Sequence, residues 1–159
     1  MNKLIYATAF TLVIASTVPS AWAKSPNDAN ITHLGKSAAV PLDALVPDAT
    51  HKFDVHVQGK ALSELTIDIP EDVSFKGITV KNKSGQKIPA TVSVNDKKAT
   101  VAFSEPVAPG NSLTIFMNGV NATNTYDYSR TLHYRVSTKM VGMNGDIPLG
   151  LARVQTYRD

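Results

Sequence analysis

His33, His51, His56 and His133, together with Met117, Met140 and Met143, are the side chains of this 159-residue chain best suited to hold a metal. Imidazole suits copper and zinc, and thioether sulfur suits Cu(I). Met140-Val141-Gly142-Met143 could present two thioethers, and His133 sits on the preceding strand, so His133, Met140 and Met143 form the candidate copper or zinc set. Other combinations are weaker. His51 and His56 differ by an odd number, so on one strand they face opposite sides, whereas Asp54 and His56 share a face. The chain contains no cysteine, which excludes thiol chemistry and thiolate metal sites. The simpler reading is that the methionines cover an apolar edge and the histidines sit on the surface beside Lys52 and Arg135. On that reading no cofactor is expected.

Nucleophilic, metalloprotease and nucleotide chemistry each leave a local signature, and GxSxG, HExxH, the Walker loop and GxGxxG are all missing from the sequence. Glu71-Asp72 could pair two carboxylates, but acids that follow a strand-ending proline, here Pro70, read as a solvated turn or the first turn of a short helix. The expectation is a protein that is not an enzyme.

Recognition offers more. Tyr126 and Tyr128 lie in the polar loop NATNTYDYSR, the kind of segment that a rigid scaffold presents to a partner. Tyr134 shares a strand face with Leu132 and Val136 and belongs to a core. His133 and Arg135 point the other way and, with Arg130 and Lys139 nearby, make a mildly basic strip. Tyr126, Tyr128, Arg130, His133 and Arg135 are therefore the candidate partner-binding residues, the partner being an envelope protein or a glycan. No basic run suggests nucleic acid.

The elements that must position these residues are short and alternate with period two. Phe53, Val55 and Val57 share one face, as do Leu65, Ile67 and Ile69, before Pro70 ends the run. Ile78 and Val80, then Ile88, Ala90, Val92 and Val94, then Ala99, Val101 and Phe103 repeat the pattern. Turns at Ser84-Gly85 and Asn95-Asp96 link them into an expected three-stranded meander. Pro106, Pro109 and Gly110 form a loop, Leu113, Ile115 and Met117 start another strand, and TLHYRV (131–136) and GLARVQTY (150–157) complete the set. About eight short strands, with turn signals every 8 to 12 residues, predict an all-β antiparallel β-sandwich, immunoglobulin-like or related. Single helical turns are expected at most over 61–64 and 71–75.

Residues 1–23 carry Lys3, an apolar stretch from Leu4 to Ile14 and the small-residue exit Ala21-Trp22-Ala23, the layout of a signal peptide cleaved before Lys24. Residues 24–49, with Pro26, Pro41 and Pro47 and no sustained period, read as an extended or partly disordered leader. Residues 50–159 read as one sandwich domain. Cleavage would remove Lys3 and the single tryptophan and leave fifteen Lys and Arg against thirteen Asp and Glu. No later segment is apolar enough to act as a transmembrane anchor. Asn30-Ile31-Thr32 and Asn121-Ala122-Thr123 are glycosylation sequons of consequence only in a eukaryotic route.

The stretches HKFDVHVQGKALSELTIDIPEDV, GITVKNKSGQKIPATVSV, FSEPVAPGNSL and GDIPLGLARVQTY resemble the cyanobacterial exported family DUF2808. The resemblance runs from Thr50 to Tyr157. It implies an exported all-β domain and carries over no activity and no site residues. The sequence thus points to an exported, non-enzymatic binding or structural module of the cell envelope or extracellular space. The alternative is a periplasmic copper- or zinc-binding protein.

Overall fold

Strands that alternate apolar and polar side chains can hide their apolar faces only by stacking sheet on sheet, and this chain does so. The computed structural model describes residues 30–122 and 129–157. In order, the strands are β1 (His33–Val40), β2 (Ala49–His56), β3 (Leu62–Asp68), β4 (Val73–Ser74), β5 (Gly77–Asn82), β6 (Ala90–Asn95), β7 (Lys98–Val107), β8 (Ser112–Ala122), β9 (Ser129–Met140) and β10 (Ile147–Tyr157). The first sheet runs β1-β2-β8, with β4 and β5 both paired to β8, and the second runs β10-β9-β3-β7-β6. Every pairing between these strands is antiparallel, and one isolated bridge, from Asp43 to Tyr157, is parallel.

Phe53, Val55, Leu113, Ile115 and Met117 from the first sheet meet Leu65, Ile67, Val101, Tyr134, Val136 and Val154 from the second, all fully buried. Burying each such side chain is worth about 1.5–3 kcal/mol, so this interleaved layer drives folding. The antiparallel sandwich expected from periodicity is present, and eight of the ten strands fall on the runs that predicted it.

Three expectations change. The segment read as a leader holds β1, which pairs with β2 over Val40↔Thr50 to His33↔His56, so the folded unit begins well before Thr50. A β-bulge between Leu34 and Ser37 resets the alternation, which is why HLGKSAAV shows no period. Gly35 sits at this bulge, where an added Cβ would lie 2.6 Å from His56 Nε2, so only glycine lets the strands approach so closely.

The expected meander splits. The Ser84-Gly85 turn forms, with Ile88 N–H donating to Val80 C=O at 2.9 Å. Past Pro89, however, β6 pairs with β7 in the second sheet while β5 pairs with β8 in the first. Proline has no N–H to continue the hairpin ladder, and the chain changes sheets there. Residues 61–64, expected as a helical turn, instead enter β3, and 71–75 make a hydrogen-bonded turn from Pro70 C=O to Val73 N–H followed by β4.

Candidate functional site

Side-chain parity along β9 sorts the candidate residues. Leu132, Tyr134, Val136, Thr138 and Met140 are buried, while Thr131, His133, Arg135 and Lys139 are exposed. β10 repeats the rule: Ala152, Val154 and Thr156 face inward and Leu151, Arg153, Gln155 and Tyr157 face solvent. The register sets Arg153 opposite His133, Leu151 opposite Arg135 and Gln155 opposite Thr131. On the other flank Arg135 is level with Asp68 of β3. The outcome is a solvent-facing strip with His133, Arg135 and Arg153 at its centre. Leu151 and Tyr157 contribute apolar surface at 44% and 45% exposure.

This strip contains two of the five candidate partner-binding residues. Arg130 is not among them. Its even position turns it to the inner face, where it is half buried and forms an ion pair with Asp72, a contact between β9 and the turn before β4. Tyr126 and Tyr128 lie outside the described residues. Arg153, Leu151 and Tyr157 were missed from sequence as site residues, although the alternation of Ala152 and Val154 with Arg153 and Gln155 carried the signal for them.

The candidate metal set does not converge. His133 and Met140 are seven residues apart, an odd number, so one is exposed and the other is buried in the core. Met143 lies in the turn after β9, its N–H donating to Met140 C=O at 3.2 Å, and its side chain faces solvent. Met117 is fully buried. Among the described residues no group of three or more His, Asp, Glu or Cys is placed to hold a metal ion.

The other histidines form two different microenvironments. His33 and His56 are cross-strand partners with ring centroids 5.0 Å apart. The Nδ1 of His56 hydrogen-bonds Ser112 Oγ at 2.8 Å, and that of His33 donates to Ile31 C=O at 3.0 Å. Burial, with the neighbouring His33 second, lowers the pKa of His56. Asp54, on the same face, accepts from Thr114 Oγ1 at 2.7 Å.

His51 corrects the expectation that the histidines are surface residues. It shares the inward parity of Phe53 and Val55, is 3% exposed, and its Nδ1 lies 2.6 Å from Tyr134 Oη. Burial lowers the His51 pKa to about 4, so the ring is neutral at pH 7, and burial raises that of the Tyr134 phenol. Beside the pair is a cavity of about 30 Å³ lined by Asp43, Val46, His51, Arg130, Leu132 and Thr156. That is room for a water molecule and too small for an organic substrate.

A family model described as "Protein of unknown function (DUF2808)" matches residues 36–132. No curated protein matches the chain by sequence. Among solved structures, the major pilin SpaD of Corynebacterium diphtheriae is similar with a TM-score of 0.59 and 13% identity, over 79% of this chain and 35% of that one. The N-terminal domain of the Streptococcus gordonii adhesin Sgo0707 is similar with a TM-score of 0.51 and 15% identity, over 81% of this chain and 32% of that one. The chain thus spans about a third of the length of these two structures. At such identities the likeness establishes the immunoglobulin-like sandwich fold and nothing finer.

Proposed function

The chain belongs to the DUF2808 family, and from that premise we propose that it is a non-catalytic recognition module, exported to the cell envelope or the extracellular space, that binds an envelope protein. The observation that carries this reading is the solvent-facing β9/β10 strip. Cationic Arg135 and Arg153 stand beside exposed Leu151 on two paired strands, and Tyr157 is exposed further along the same face of β10. Arginine and tyrosine give the largest binding return at protein interfaces, because both bring apolar area together with directed hydrogen bonds. A surface held by ladder hydrogen bonds also loses little conformational entropy on docking.

Two further features support the reading. The first 23 residues have the layout of an export signal. The fold is one that an adhesin and a pilin also use. Among the described residues no helix is long and apolar enough to cross a membrane.

The test is capture from native envelope fractions by the immobilised protein, compared with an Arg135→Glu/Arg153→Glu double variant. Both positions are exposed, so the fold should survive the changes. A partner retained by the wild type and lost from the variant supports the strip. Equal retention by both moves binding elsewhere on the molecule.

A further inference from the structure

The two sheets end differently on their two sides, and one of those ends is open. β5 is bonded only to β8 for most of its length and β6 only to β7, so both sheets present an edge on the same side of the sandwich. Between them lies a groove of about 490 Å³, floored by Ile69, Val73, Phe75, Ile78, Val92 and Val94. Val94 is 54% exposed.

The free bonding groups of this edge can be assigned. Ser104 N–H donates to Pro89 C=O at 3.1 Å, and Asn95 opposes Lys98 across the β6–β7 turn. In an antiparallel ladder hydrogen-bonded and non-bonded pairs alternate, so Thr91, Ser93 and Asn95 direct their backbone groups at β7. Ala90, Val92 and Val94 direct theirs outward. The β5 edge is less available, because Val80 C=O and Asn82 N–H are already taken by Ile88 and Gln86.

Charge is concentrated on this side as well. Residues 76–98 hold six lysines and one acid, Asp96, in a chain whose formal net charge is only +3. Lys76 and Lys98 have carboxylate partners at Asp48 and Asp68. Lys81, Lys83, Lys87 and Lys97 have none among the described residues.

We propose that the β6 edge is a second binding site, independent of the β9/β10 strip, which accepts an extended acidic peptide segment of a partner protein as an added strand. The incoming backbone would pair with the outward N–H and C=O groups of Ala90, Val92 and Val94, and alternate apolar side chains would enter the groove. The lysines decide between occupants. They attract a carboxylate-flanked strand, and they oppose edge-to-edge pairing of two copies of this chain, which would bring Lys87 of one copy toward Lys97 of the other.

The test uses two labelled nine-residue peptides, EEVTITVEE and KKVTITVKK, titrated into the purified protein and followed by fluorescence anisotropy. The acidic peptide should bind at least tenfold more tightly, and its advantage should shrink as salt is raised. Native-state hydrogen exchange should show new protection at the amides of Ala90, Val92 and Val94. Val92→Pro removes an edge donor without touching the β7 ladder and should weaken binding at least tenfold. Lys83→Glu/Lys87→Glu, at two exposed positions of the β5–β6 connection, should reverse the peptide preference. The proposal is overturned by equal affinity for the two peptides, by binding without protection of those amides, by no binding at millimolar peptide, or by a β6-mediated dimer in sedimentation.

Discussion

The two sides of the sandwich solve the same problem in opposite ways. On one side β1 and β10, the edge strands of the two sheets, pack together. Ser37 Oγ donates to Arg153 C=O, and the 41–48 connection is tied to β10 by Ala44 N–H to Tyr157 C=O at 2.6 Å and Tyr157 N–H to Leu42 C=O at 2.8 Å. On the other side β5 and β6 part, Val92 and Val94 remain partly exposed, and lysines line the margin. A sheet edge is a row of unpaired peptide groups, and a fold can cover it or guard it with charge. This chain covers one edge and guards the other. Stability should therefore depend on the closed side, and the open side should be free to serve recognition.

Removal of the closing strand is the most severe way to break this contrast. A chain ended at Pro148 loses the β10 ladder, uncovers β9 and leaves β1 without its neighbour in the other sheet. Loss of the cooperative unfolding transition, read by circular dichroism during a thermal ramp, is the expected outcome. An unchanged melting curve would mean that the closed side does not hold the fold together.

The His51–Tyr134 pair, near the closed side, gives the next largest effect. The folded His51 pKa of about 4 lies below the ordinary value of 6.5, so the folded state binds fewer protons than the unfolded one between these limits. Its contribution is complete above pH 6.5 and is lost as pH falls toward 4. The lost stability is about 3 kcal/mol, or a drop in Tm of roughly 10 °C. His56 shifts in the same direction. His51→Gln should remove the larger part of this slope, and a slope equal to that of the wild type would place the titration elsewhere.

A matched pair of truncations sharpens the comparison at the smallest scale. Val154→Ala, at a fully buried position on β10, should cost about 2 kcal/mol in denaturant unfolding. Val94→Ala, at an exposed position on β6, should change stability by no more than about 0.5 kcal/mol. Equal costs would show that the open groove is as much a part of the core as the closed side.

Period-two alternation made most of the sandwich legible, because burying one face of a strand writes itself directly into neighbouring residues. Phe53, Val55, Leu65, Ile67, Val101, Leu113, Ile115, Tyr134 and Val154 are all core positions by parity alone. The same rule separates His51 from His56, sends Arg135 outward, and, carried along to position 140, separates His133 from Met140. β1 escaped this reading because its bulge resets the alternation.

Choice of partner is where local pattern stops. The residues of β5 state that it is a strand, but its attachment to β8 rather than β6 depends on which edge the whole chain leaves open. Contacts that join distant segments are likewise decided by the tertiary structure: Tyr134 with His51, 83 residues apart, Arg130 with Asp72, and Ser37 with Arg153. The sequence by itself determined which side of each strand meets water, since transfer free energy acts residue by residue. Only the folded molecule decided which strands became neighbours, which edge was closed and which histidine was buried deeply enough to have its pKa lowered to about 4, since these depend on loop closure and burial summed over the entire chain.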